Sequence, residues 1–174
     1  MSKLLLDKER PLRQSQENPK VQEDTKVPTV ARARTLTVLS RLYSDRKARM
    51  VRFLNEARLI DPDDVVLALH KADLKGINLS QTELFGAAMI GADLREAVFY
   101  SCDFSKADLS GADLSGASLS SVNLTHANVT EKQLNQTESL YDTTMPDGQR
   151  LRGYENSNGP TFEEWLKSRE GDGR

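Results

Sequence analysis

The sequence predicts a narrow solenoid, a chain that winds round its own apolar core and turns a corner every five residues. Three observations predict it. In "DFSKADLSGADLSGASLSSVNL", residues 103–124, Phe or Leu recurs at positions 104, 109, 114, 119 and 124. A five-residue step rotates a helical side chain by ~140°, so a helix would scatter these residues over every face and leave no stripe to bury. A straight strand fails too, because an odd step alternates faces. The second observation is a small residue two positions before each large one: Ala107, Ala112, Ala117 and Val122. That spacing puts both on one face of a short extended segment. The third is the filling between them, Asp108, Ser110, Gly111, Asp113, Ser115 and Gly116, which are residue types that turns favour. Small residues fit crowded corners; large ones fill the axis.

The register runs far beyond that stretch. Calling the large residue i, the inward ladder reads Leu69, Leu74, Leu79, Leu84, Met89, Leu94, Phe99, Phe104, Leu109, Leu114, Leu119, Leu124 and Val129, without an insertion. Position i−2 is Ala at 72, 87, 92, 97, 107, 112, 117 and 127. The units "ADLKG", "ADLRE", "ADLSG" and "ANVTE" resemble the pentapeptide-repeat family, whose consensus is close to A-(D/N)-L-x-x. The resemblance implies an all-β core, a right-handed quadrilateral β-helix with four pentapeptides to a coil, over residues 66–130. The flanking "LLLDKERPLRQS", "VARARTLTVLSRL", "DRKARMVRFLNEARLI" and "TMPDGQ" are similar to those of a bacterial branch of the family. Relatives there often carry hydrophobic membrane helices upstream of "LLLDK". Here only Ser2 and Lys3 separate Met1 from Leu4, so the resemblance does not imply such an anchor.

Before the repeat, "RQSQENPKVQEDTKVPT" (13–29) is polar with two prolines, and residues 1–29 are expected to form a mobile N-terminal segment. From Val30 the pattern turns helical, with Val30, Ala33, Leu36, Val38, Leu39 and Leu42 on one broad face. A second helix is expected from Ser44 or Asp45 as N-cap, burying Met50, Val51, Phe53, Leu54 and Ala57 and stopping before "DPDD" at 61–64. This helical flank, 30–65, is basic: Arg32, Arg34, Arg41, Arg46, Lys47, Arg49, Arg52 and Arg58 outnumber Asp45 and Glu56 in its helices. After the repeat, Lys132 falls on an inward corner, where a cation cannot sit. Thr130 and Gln133 instead have capping-box spacing, so a short helix over 131–138 is expected, then a turn at Asp147–Gly148. A second box, Thr161 with Glu164, opens "TFEEWLKSR". A solenoid has raw strand edges at both ends, and residues 131–174 read as a cap and tail.

Catalysis finds little support. The chain has 174 residues, a net charge of −2 and a single cysteine, so no internal disulfide exists. Cys102 occupies an i−2 corner and reads as a buried small residue. His70 and His126 are far apart, at outward positions with solvated or turn-bonded roles. Neither has metal-ligand spacing to Cys102. Gly86, Gly91, Gly111 and Gly116 follow the turn spacing rather than that of a phosphate loop. No cofactor or enzyme activity is expected. With no apolar run long enough for a membrane span and no signal peptide, the expected location is the cytoplasm, with peripheral membrane association open.

The expected function is a non-catalytic scaffold for protein–protein interaction, with an unidentified partner. Residues twenty apart stack in the coils that the family implies, which aligns Asp73, Asp93 and Asp113 in one acidic column. A second reading is therefore mimicry of DNA towards a topoisomerase. Three coils at ~4.8 Å each span ~15 Å, only about four base pairs at ~3.4 Å each, and Lys75 and Arg95 lie beside the column. A third reading has the basic flank, residues 30–59, touching nucleic acid or anionic lipid. Phe85, Ile90 and Tyr100 are apolar where most i+1 positions are polar. They mark a docking patch, and the helices of 30–59 are expected to lie against its Phe85–Ile90 corner, with a homodimer or partner interface at the same place as the rival.

Overall fold

A computed structural model describes residues 19–60, 69–153 and 157–171. Its helices are α1 (Pro19–Leu39), α2 (Ser44–Glu56), α3 (Glu131–Leu134) and α4 (Phe162–Gly171). Between α2 and α3 the chain forms a ladder of parallel bridges joining residues twenty apart: Asp73 with Asp93 with Asp113, Asn78 with Val98, Glu83 with Asp103, and Ala88 with Asp108. Twenty residues per turn of the ladder and five per bridge give each coil four sides. The bridges are isolated rather than joined into long strands. The reason is local: only i−2 to i are extended before the next corner.

Each corner is a tight turn in which the amide of residue i+3 donates to the carbonyl of residue i, as in Ala72 to Leu69 at 3.1 Å and Ala112 to Leu109 at 2.9 Å. The residue at i+2 has a positive φ throughout, from Lys71 (57°) and Gly76 (62°) to Ser121 (58°) and His126 (59°). Side chains at i−1 complete the turn. The carboxylate of Asp113 accepts from the Ser115 amide (3.0 Å) and hydroxyl (2.6 Å), and Asp103, Asp108 and Asn123 repeat this arrangement with Ser105, Ser110 and Thr125.

The axis is full. Every ladder residue from Leu69 to Leu124 is at most 1% exposed, and Phe99 meets Phe104 edge to face at 4.9 Å. Burial of such side chains contributes on the order of 1.5–3 kcal/mol each. Corner residues Ala72 to Ala127 are also buried, Cys102 among them at 2%. Only Val129, the last of the series, is partly covered.

At the C-terminal end the repeat does not simply stop. The Thr130–Gln133 capping box forms in both directions, and Gln133 replaces the unsuitable Lys132 at the corner. Its Nε2 donates to the carbonyls of Leu109 and Ala112, each at 2.8 Å. The helix lasts four residues rather than continuing to 138, because the Glu138 amide already rejoins the ladder at Ala117 O. One extra residue is absorbed, so Ser118 pairs with Ser139 and Asn123 with Thr144. Thr143 and Met145 then take corner and axial places with no exposure. After the turn at Gly148 (φ 86°) the chain runs back antiparallel, Leu151 N–H bonding Thr143 O at 2.8 Å. The Thr161–Glu164 box also forms. It starts α4, whose buried Trp165 donates to Asp147 at 2.8 Å.

The N-terminal flank departs from expectation in several ways. The segment 13–18 lies outside the described residues, as do 1–12 and "DPDD". Residues 19–29, expected as linker, are the first part of α1; Pro19 suits a first helical turn, and Gln, Glu and Lys are good helix formers. The covered face of α1 is Ala31, Arg32, Thr35, Leu36 and Leu39, while Val30, Ala33 and Val38 face outwards. Ser44 is the first helical residue of α2, and Tyr43 is an N-cap without a side-chain bond. α2 buries Lys47, Ala48, Val51 and Leu54, whereas Phe53 is 63% exposed and Ala57 is also exposed.

Candidate interaction surfaces

Among the described residues the axis is filled by buried side chains, which leaves the side walls and the two ends as the surfaces to consider. On one wall Asp73, Asp93 and Asp113 stack as bridge partners. They are not a bare acidic stripe. Lys47 reaches Asp73 at 2.8 Å, and Arg95 chelates Asp93 at 2.7 Å while lying 3.8 Å from Asp113. Lys75 is taken up by Glu96 at 3.0 Å. The Arg95 hydrogen bond holds the Asp93 carboxyl below its ordinary range, and that from Ser115 does the same for Asp113. Turn bonds and interleaved cations partner the column internally.

Phe85, Ile90 and Tyr100 occupy corners of the first two coils and are 45%, 38% and 50% exposed. Phe85 and Ile90 bound one wall of the solenoid, and Tyr100 lies one corner before the Phe85 column. Lys106 covers the Phe85 ring at 5.2 Å. The helices of residues 30–59 do not cover this patch. They lie across the open end of the first coil, and the reason is backbone chemistry. Carbonyls there face the place of a missing coil, and side chains supply the absent donors: Arg32 to His70 O (2.9 Å), Arg52 to Asn78 O (3.0 Å) and Asn55 to Glu83 O (2.6 Å). Lys47, one of the cations of the basic flank, is buried in this junction and is not on its outer surface. His70 also differs from its solvated expectation, since its Nε2 is buried without a hydrogen-bond partner.

Cys102 has no reactive character. Its thiol donates to Leu79 O at 2.8 Å, and burial pushes its pKa up to about 11, so the nucleophilic thiolate is suppressed at neutral pH. Among the described residues no group of three His, Cys, Asp or Glu side chains has a metal-binding arrangement, and no described helix is long and apolar enough to cross a membrane. A cleft of about 340 Å³ lies at the C-terminal end, between Leu140, Tyr141, Leu151, Arg152, Pro160 and Phe162. No sequence signal pointed to it, because its walls come from two segments that meet only through the antiparallel return.

The family model for pentapeptide repeats matches residues 68–99 and 102–137 in eight copies. Residues 68–137 of the chain carry pentapeptide repeats. Among solved structures, it is similar to HetL, a pentapeptide-repeat protein involved in heterocyst differentiation regulation in the cyanobacterium Nostoc sp. strain PCC 7120. That match has 32% identity and a TM-score of 0.34, and covers 48% of this chain and 43% of HetL. No curated protein matches the chain. Among the described residues, the outward apolar side chains of the repeat and its C-terminal end include Phe85, Ile90, Tyr100, Val98 and Tyr141, and those of the helical cap include Val30, Val38, Tyr43 and Phe53.

Proposed function

We propose that this protein is a non-catalytic scaffold, built on a right-handed quadrilateral β-helix, that binds another protein through the wall bounded by Phe85 and Ile90 together with Tyr100. Residues 66–130 form the repeat unit, with 30–65 and 131–174 as its two ends, working in the cytoplasm. One observation carries the reading. The axis is filled by the repeat itself and the column of Asp73, Asp93 and Asp113 is internally paired, whereas these three apolar side chains remain outward, with Val98 beside Tyr100 also 36% exposed. Such groups gain by being covered, and rigid solenoid walls suit that purpose.

The test compares proteins cross-linked to the wild-type chain in its host with those cross-linked to the triple variant Phe85→Asp, Ile90→Asp, Tyr100→Asp. A binder lost from the variant should, once purified, bind the wild type directly. Sedimentation of the protein alone reads the homodimer version of the same interface. Identical cross-linked sets and an unchanged sedimentation coefficient would remove the patch from the function.

A further inference from the structure

We infer that the outer face of the N-terminal helical cap, formed by α1 and α2, is a docking surface for an anionic lipid membrane. This surface is separate from the Phe85 wall, so the inference stands or falls independently of the proposed scaffold role. It begins from a division of labour among the basic residues. Arg32, Lys47 and Arg52 are bound to the first coil. Arg34, Arg41, Arg46 and Arg49 are exposed, and none pairs with a carboxylate among the described residues.

Helical spacing gathers them into one outward row on each helix. On α1 the outward row is Val30, Arg34, Thr37 and, at the helix end, Arg41, spaced i, i+4, i+7 and i+11. On α2 it is Arg46, Arg49 and Phe53, spaced i, i+3 and i+7, opposite the buried Lys47, Val51 and Leu54. Tyr43, between the helices, is 85% exposed, Phe53 63% and Val38 44%. Asp45 and Glu56 are the only acidic residues of α2, so the excess charge is positive.

Charge complementarity and the apolar residues together select the occupant. A second copy of the same face is disfavoured, because it would set guanidinium against guanidinium. A nucleic acid would use the arginines and could stack on Tyr43 or Phe53, but it gives Val30 and Val38 nothing to contact. A lipid surface uses every group: phosphate and carboxylate headgroups receive the arginines, while Phe53, Tyr43 and the valines enter the boundary with the acyl chains. Seated on the end of a rigid solenoid, the helices would present this face without refolding.

The experiment is co-sedimentation of the full chain with phosphatidylcholine vesicles, with and without phosphatidylserine, at near-physiological salt. Binding is expected with phosphatidylserine and not without it. Arg46→Gln with Arg49→Gln should lower partitioning on the order of tenfold, and Phe53→Ser should lower it at unchanged charge. These side chains face solvent, so the melting temperatures of the variants should match wild type. Equal binding with and without phosphatidylserine would overturn the inference, as would variants that bind like wild type. Binding to a duplex or single-stranded oligonucleotide without binding to vesicles would assign the face to nucleic acid instead.

Discussion

At position i+2 of every pentapeptide the backbone takes a left-handed turn, and the residues there fall into two groups. Gly76, Gly86, Gly91, Gly111 and Gly116 adopt it without a Cβ penalty, whereas Lys71, Gln81, Glu96, Ser101, Lys106, Ser121 and His126 hold φ between 55° and 59° with one. Gly111 isolates this cost, because a Cβ added there would meet nothing within 4 Å. Gly111→Ala is expected to destabilise the protein by about 1 kcal/mol through backbone conformation alone, read from denaturant midpoints. An unchanged midpoint would mean that the turn tolerates the side chain. Asp93 and Asp113 carry a second prediction. Their folded pKa values lie below the ordinary 3.8, so they contribute stability above that value and lose it as pH falls through their folded values. Thermal melts should drop on the acid side of pH 4, and less steeply in Arg95→Met, which removes the main cause at Asp93. The i−1 aspartates were legible as turn-bonding residues from spacing, but the positive φ at i+2 was not. Lys, Glu and His give no hint that they sit where glycine is the easier choice.

Among elements, the repeat was readable and the placement of its helices was not. Thirteen successive large residues at one spacing leave a chain few other ways to bury them. The capping boxes at Thr130 and Thr161 were equally plain, since each needs only two side chains three residues apart. The docking of α1 and α2 answers a demand that no side-chain pattern displays, the row of unpaired carbonyls on the first coil. Arg52 and Asn55 read as ordinary polar positions on an amphipathic helix. Their partners, Asn78 O and Glu83 O, are backbone atoms more than twenty residues away. The apolar pull of Phe85 and Ile90 was the visible alternative, and backbone satisfaction prevailed over it. Arg52→Ala with Asn55→Ala should therefore cost on the order of 1–3 kcal/mol and make residues 30–59 sensitive to limited proteolysis while the repeat stays protected. Phe85→Asp should leave the cleavage pattern of these helices unchanged. The opposite pattern would return the helices to the Phe85 corner.

Over the whole molecule, two different solutions close one solenoid. The N-terminal end is covered by helices whose side chains bond edge carbonyls, and the C-terminal end by the chain's own antiparallel return. At the second end, residues 149–152 bond the last coil through Met145 N to Gln149 O (2.8 Å) and Leu151 N to Thr143 O (2.8 Å). Arg150 pairs with the buried Asp142 at 2.9 Å. α4 completes the cover: Trp165 is 2% exposed, and Arg169 stacks on it while reaching Glu131 at 2.9 Å. Removing residues 146–174 strips both layers at once. Met145 and the last coil become accessible, Asp142 loses its cation, and a parallel edge is left ready to pair with another chain. Because terminal units of a solenoid carry the solubility of the stack, the truncated protein is expected to associate end to end. Light scattering should report species larger than the full-length protein, growing with concentration, alongside a lower melting temperature. Trp165→Ala in the full chain separates the layers, since it loosens α4 while keeping the antiparallel return. It should lower stability by about 3–5 kcal/mol with little association. A truncated chain of full-length oligomeric state and unchanged melting temperature would show that the repeat closes its own end and that residues 146–174 serve something other than stability.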